Sequence, residues 1–148
     1  MTKNNNVSEA EWHALTKAAL SAMDKAYAPY SQFQVGAALL TVDGDIIPGC
    51  NVENVSYGLT ICAERTAIAA AVVQGKQAFK ACVVVTNTAP PSSPCGVCRQ
   101  VLHEFAPDLP IRMVNPAGDV LETNITTLLP QSFDKTQLLD GAKGKKGA

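Results

Sequence analysis

Three of the five cysteines stand at inferred helix starts, which constrains how the chain can fold. Cys95 and Cys98 bound the stretch Cys95-Gly-Val-Cys98 directly after Pro94, and Cys62 opens the segment Cys62-Ala-Glu-Arg-Thr-Ala-Ile. At 3.6 residues per turn, Cys95 and Cys98 lie about 60° apart around their helix, so both reach one point. Helix starts suit thiolates, because unpaired amides and the positive end of the dipole lower thiol pKa values. Taken alone, the pair is compatible with a metal, with dithiol exchange of the thioredoxin kind, or with simple packing. If the two helices lie side by side, Cys62 is the natural third ligand. Three thiolates leave the fourth tetrahedral position open, as at catalytic rather than structural zinc.

The remaining pattern supplies a frame for such a meeting. Ser8-Glu-Ala-Glu11 is a capping box, and Trp12, Leu15, Ala19 and Met23 follow at helical spacing in a helix that Pro29 ends. Residues 33–42 read as a strand, Asp43-Gly44 as a hairpin turn, and 46–50 as the returning strand. Pro48 and Gly49 mark that strand for an edge or a bulge. Residues 62–74 are helical with Gly75 as the cap, and the β-branched run 81–86 is a strand buried on both faces. After the irregular loop 87–94, a second helix runs from Cys95 to Pro107. Short strands at 111–115 and 119–122 flank a turn at Pro116-Ala-Gly118, and 126–133 closes the globule. Helices that follow strands, with no repeat or interior linker, indicate a single α/β domain.

Composition narrows the function classes. A chain of 148 residues is long enough for one buried core. A net charge of −1 offers no cationic footprint for nucleic acid or an anionic membrane. The opening MTKNNNVSEAEW lacks an apolar leader core, and no apolar run is long enough to cross a bilayer. Reduced thiols and a cytoplasmic location are therefore expected. Residues 1–6 are expected to form a disordered tail, 7–134 the domain, and 135–148 a flexible tail carrying the KGKK cluster at 143–146.

Competing ligands are poorly placed. His103 falls roughly 140° around the helix from Cys98 and should miss the site. His13 belongs to the first helix as a surface or packing residue, while Cys50 and Cys82 fall in strand patterns as inert thiols. Glu64 is different. By itself it is an ordinary first-turn acid favoured by the helix dipole. With Cys62, Pro94, Cys95 and Cys98 it completes C-A-E … P-C-x-x-C, the signature of zinc nucleobase deaminases in its three-cysteine form.

The chain resembles the cytidine deaminases of the small homotetrameric class. The resemblance runs through Phe33-Gln-Val-Gly-Ala-Ala, Asn51-Val-Glu-Asn-Val-Ser-Tyr57-Gly-Leu-Thr, Cys62-Ala-Glu-Arg, Pro94-Cys-Gly-Val-Cys-Arg-Gln and Leu128-Leu-Pro-Gln-Ser-Phe133. It leaves out only the two tails; Val55 and Gln131 are small departures. It implies a single-domain three-layer α/β/α fold, with a mixed five-stranded sheet packed by helices. Cys62, Cys95 and Cys98 would bind one Zn2+ per subunit, whose activated water attacks C4 of the pyrimidine. Glu64 would carry the proton from water to N3 and then to the departing amine. Cytidine and deoxycytidine would become uridine and deoxyuridine with release of ammonia, a step of pyrimidine salvage.

The same resemblance gives Arg65 a tuning role, donating hydrogen bonds to the thiolates. Asn51 and Glu53 would bind the ribose, Phe33 would pack on the base, and the backbone of Ala63 and a group near Thr60 would read the base edge. Phe133 would stack on a base bound in a neighbouring subunit, with Tyr57 at the same boundary of a homotetramer with shared active sites. Rival readings are a deaminase of modified nucleosides, a nucleic-acid editor, a thiol–disulfide oxidoreductase and a non-catalytic zinc module. Asn51-Val-Glu-Asn54 argues for a plain ribose, and the near-neutral charge argues against a strand-binding groove. Cys62-Ala-Glu64 has no task in disulfide exchange, and a closed zinc module lacks a fourth ligand.

Overall fold

The computed structural model describes residues 6–144. Helix α1 (Glu9–Met23) opens it, followed by the hairpin β1 (Val35–Thr41) and β2 (Ile46–Cys50). Helix α2 (Ala63–Val73), strand β3 (Phe79–Thr86), helix α3 (Gly96–Phe105) and strands β4 (Pro110–Val114) and β5 (Val120–Asn124) come next. Two further helices, α4 (Ile125–Leu128) and α5 (Lys135–Gly144), complete the described chain. The sheet runs β2-β1-β3-β4-β5, and only β3 and β4 are parallel. Its one parallel pair is joined through α3, as a crossover requires.

Alternation along the strands divides the core into two layers. Leu39, Cys82 and Val84 face one side with Ala67, Ile68 and Ala71 of α2 and Leu102 of α3. Ala38, Leu40, Ala81, Val83 and Val85 face the other side with Trp12, Leu15 and Ala19 of α1. This is the expected three-layer α/β/α arrangement with a mixed five-stranded sheet. Arg112 fastens α1 to the far edge: it lies 4.6 Å over the Trp12 ring and bonds Glu9 and Glu122, each at 2.8 Å.

The expected capping box is closed, with the Glu11 amide on the Ser8 hydroxyl at 3.1 Å and the Ser8 amide on the Glu11 carboxylate at 2.8 Å. Helix α1 stops at Met23, well short of Pro29, because Tyr27 leaves to pair with the segment after β2. The Tyr27 amide donates to Asn51 O at 3.0 Å, and the Glu53 amide donates to Tyr27 O at 2.8 Å. Strand β1 begins at Val35 rather than Phe33, since the Asn51 side chain takes the polar groups just before the ladder. Gly44 and Gly75 adopt φ of 92° and 78°, as the turn and the helix cap demand. β2 is an edge strand, which accommodates Pro48.

The segment 135–148, expected as a flexible tail, instead carries α5, none of whose residues is buried. Local helical spacing there was masked by the glycine- and lysine-rich composition that follows. The expected N-terminal tail lies, apart from Asn6, outside the described residues, as do Lys145 and Lys146.

Two glycines set how closely helices approach the sheet. A Cβ on Gly36 would stand 2.0 Å from Ala19 O of α1, and one on Gly49 would stand 2.4 Å from Ala63 O of α2. Backbone cannot yield as a flexible side chain does, so both positions require glycine. Gly49 thus seats the first turn of α2 on β2, helped by the Thr66 hydroxyl, which donates to Cys50 O at 2.8 Å. Gly49→Ala is expected to cost about 1–3 kcal/mol in urea unfolding. Gly141→Ala, on the exposed helix α5 with nothing within 4 Å of the added methyl, should cause no loss and a gain of at most about 1 kcal/mol.

Candidate active site

Cys62 and Cys95 are the N-cap residues of α2 and α3, both extended, at ψ 156° and 167°. Neither thiol caps its own helix. The two helices pack on the same face of the sheet, so their starts meet. The Sγ atoms of Cys62 and Cys95 are 3.9 Å apart, and all three sulfurs, Cys98 included, lie within 4.8 Å of one another. Tetrahedral zinc with Zn–S near ~2.3 Å asks for sulfurs about 3.8 Å apart, so the donor set fits that ion. Among the described residues, this is the one cluster of potential ligands with such spacing.

The electrostatics of the corner point the same way. Burial pushes the Cys98 thiol far up, and the Glu64 carboxylate beside it pushes further. For Cys95 burial works upward too, but the neighbouring polar groups of Cys98 and Cys62 outweigh it and bring it below the ordinary thiol value. A divalent cation held by the three sulfurs would reverse the upward push on Cys98. Arg65 supplies one fixed positive charge. Its Nη2 donates to Thr60 O at 3.0 Å and to Cys62 Sγ at 3.7 Å. The Cys62 hydrogen bond, ahead of an opposing effect of burial, raises its pKa further. Among the described residues, Arg65 Nε is the one buried side-chain nitrogen or oxygen without a partner. Arg65 is thus turned inward against the thiols rather than out to solvent.

A cavity of about 330 Å³ adjoins the cluster where β1 begins and β3 ends. It brings together the expected Phe33, Asn51, Glu53, Cys62, Ala63, Glu64 and Cys95. Glu64 is 4% exposed, a carboxylate removed from bulk water. Phe33, in contrast, is 44% exposed and leaves a free aromatic surface on the cavity. Tyr57 lies apart, in an adjoining hollow shared with Tyr30, Glu53 and Thr60, its ring 5.8 Å from that of Tyr30. Phe133 lines neither space; it is 58% exposed, and its carbonyl accepts from Gln100 Nε2 at 2.9 Å.

The polar groups of Asn51 and Glu53 already have work within the chain. Asn51 Oδ1 accepts the Val35 amide at 2.8 Å, and its Nδ2 donates to Phe33 O at 2.7 Å. Glu53 accepts the amides of Tyr30 and Ser31 at 2.9 and 3.1 Å, and also the Ser31 hydroxyl. That hydroxyl, ahead of an opposing effect of burial and with the two amides, holds the Glu53 carboxyl below the usual carboxylate value. The pair therefore shapes the loop that carries Phe33 as well as the cavity wall.

The remaining candidates fall elsewhere. His103 Nε2 pairs with the Ser132 hydroxyl at 2.8 Å, and His13 is exposed on α1. Cys82 is buried in the sheet, where burial raises its thiol, and Cys50 is half-buried at the end of β2. Sequence reasoning passed over Ser31, Thr86, Ser92 and Arg99. Thr86 and Ser92 line the cavity wall, and the Ser92 amide donates to Thr86 Oγ1 at 2.9 Å. Arg99 donates to Pro94 O at 2.8 Å, Ser93 Oγ at 2.9 Å and Leu128 O at 2.9 Å. It clamps the turn before Cys95 onto α4. Its place one residue after Cys98 was the only signal available, since Leu128 is distant in sequence.

The description "Cytidine and deoxycytidylate deaminase zinc-binding region" matches residues 10–111 of the chain. A cytidine deaminase from Sporosarcina psychrophila is 52% identical over 118 residues, covering 79% of this chain and 87% of that protein. One from Halalkalibacterium halodurans is 48% identical over 127 residues, covering 85% and 96%. The crystal structure of cytidine deaminase from Burkholderia pseudomallei superposes with a TM-score of 0.81 at 50% identity, covering 86% of this chain and all of that one.

Arg99→Ala removes three hydrogen bonds from a charged donor at a partly buried position. It is expected to lower stability by about 2–3 kcal/mol, seen as a fall in thermal midpoint of roughly 5–10 °C in calorimetry.

Proposed function

This chain belongs to the cytidine and deoxycytidylate deaminase family, and we propose that it hydrolyses cytidine and deoxycytidine to uridine and deoxyuridine, releasing ammonia. One observation carries the reading: three thiols within 4.8 Å of one another meet a buried carboxylate at the end of a 330 Å³ cavity. Neither a dithiol exchanger nor a closed zinc module uses that carboxylate.

In this reading Cys62, Cys95 and Cys98 hold one Zn2+ per subunit. When bound, zinc supplies Lewis acidity that makes a water nucleophilic near neutral pH. Glu64, fixed in the first turn of α2 by the seating of Ala63 on Gly49, takes a proton from the attacking water and delivers it to N3 of the ring. It then takes the second proton from the hydroxyl newly added at C4 and delivers it to the exocyclic nitrogen, so that the C4–N bond breaks, ammonia leaves and the C4 carbonyl forms. Its burial keeps bulk water from competing for those transfers. Arg65 draws charge from Cys62 through its hydrogen bond, and so offsets the electron-rich character of three thiolates. Phe33 packs on the base, the Ala63 backbone meets the base edge, and Asn51 and Glu53 use their remaining hydrogen-bonding capacity on the sugar.

The enzyme acts as a homotetramer in this proposal. Phe133, exposed and outside its own cavity, reaches the base bound by a neighbour, and Tyr57 lies at that boundary. The exposed apolar side chains of the segment 55–59, Val55 at 79%, Tyr57 at 74% and Leu59 at 64%, favour burial against other copies. The core domain spans residues 7–134. We read the protein as a cytoplasmic salvage enzyme, since its site depends on reduced thiols; among the described residues no helix is long and apolar enough to cross a membrane.

Purified protein incubated with cytidine should release ammonia and carry one zinc per chain by elemental analysis. Glu64→Gln should keep the zinc and lose kcat by about 10²–10⁴-fold. Zinc retained in the parent chain without turnover of cytidine or deoxycytidine would sink the proposal. Light scattering should give a mass of four chains.

A further inference from the structure

Glu53 stands where the main cavity meets the adjoining hollow and lines both. Among the described residues, every hydrogen bond its carboxylate accepts comes from two adjacent residues of one loop. The Tyr30 and Ser31 amides converge on Oε1 at 2.9 and 3.1 Å, while Oε2 accepts the Ser31 hydroxyl. The direction of that last bond is fixed by two facts. An ionised carboxylate only accepts, and the Ser31 oxygen already accepts the Phe33 amide at 3.0 Å. The Ser31 proton therefore points at Glu53. A tight turn makes this possible, with Gln32 at φ 57° and its amide on Ala28 O at 2.9 Å.

A carboxylate offers roughly four acceptor positions, two on each oxygen. With both positions of Oε1 and one of Oε2 occupied, a single position on Oε2 remains for an outside donor. Without the Ser31 hydroxyl, the carboxylate would present two equivalent positions and turn more freely about its last bond. We infer that Ser31 is a positioning residue for sugar recognition, holding Glu53 so that one acceptor position meets one hydroxyl of the nucleoside. This rests on the reading of Glu53 as a sugar contact given above. Ser31 lines the cavity beside Glu53 and is not among the three clustered thiols, so its influence is expected in binding rather than in the chemical step.

The test compares three substrates, cytidine, 2′,3′-dideoxycytidine and 5′-deoxycytidine, in the parent enzyme and in Ser31→Ala, Ser31→Thr and Glu53→Gln. Ser31→Ala should raise KM for cytidine about 10-fold with kcat nearly unchanged. That penalty should disappear with one of the two deoxygenated substrates, the one lacking the hydroxyl that Glu53 accepts. Ser31→Thr, which keeps the hydroxyl, should restore the cytidine KM to within about twofold. Zinc content should match the parent in both Ser31 variants, and unfolding should stay cooperative with a midpoint well above the assay temperature, which separates positioning from folding. An equal penalty on all three substrates overturns the inference, because Ser31 would then be acting through Phe33 on the base. A fall in kcat without a rise in KM overturns it as well. Glu53→Gln separates the two layers of the argument. If its penalty is the same for all three substrates, the sugar reading of Glu53 fails. If its penalty is selective and that of Ser31→Ala is not, the inference about Ser31 fails alone.

Discussion

Gathering three thiols and a carboxylate in one partly buried corner is electrostatically unfavourable until a cation joins them, and much of the surrounding structure serves that demand. Burial and Glu64 together force Cys98 toward its neutral form. Two helix starts bring the positive ends of their dipoles to the corner, and Arg65 turns its guanidinium onto Cys62. These contributions are each partial; a divalent ion contributes far more charge at shorter range. A zinc ion held by the three cysteines would offset this cost and supply the Lewis acidity of the site.

Precision in the corner depends on residues with no polar role in it. Gly49 allows the first turn of α2 to rest against β2, and that turn carries Cys62, Ala63 and Glu64. Arg99 grips the turn before Cys95 and ties it to α4. One holds the α2 side of the site and the other the α3 side. Both helices rest on one closely packed face of the sheet, which limits how far either side can drift. On the opposite wall the loop carrying Phe33 is held by Asn51 and Glu53. Residues expected as ligand contacts are thus also the braces of the wall that ligand meets.

Much of the fold was legible because its signals are local. The Ser8–Glu11 capping box, the Asp43-Gly44 turn and the β-branched run of β3 each depend on a few adjacent residues. The boundaries that moved did so for tertiary reasons. α1 ends early because Tyr27 pairs with the segment after β2, and β1 starts late because Asn51 reaches across to Phe33 and Val35. α5 went unseen because its composition resembles a solvated tail and no buried face reveals its period. In the site, Cys62, Glu64, Cys95 and Cys98 were legible from spacing, whereas Ser31 and Arg99 were not, since their partners lie far away in sequence.

By itself the sequence determined the chemical inventory: which thiols begin helices, which acid stands beside them, and which strands are buried on both faces. Those properties follow from periodicity, propensity and the side-chain directions of single elements. Tertiary structure alone decided that Cys62 and Cys95 come within 3.9 Å, that Arg65 turns inward, and that Glu53 is gripped from one side by Ser31. Each is a contact between segments separated in the chain. Its existence depends on how closely helices and loops pack upon the sheet, a distance that no local pattern encodes.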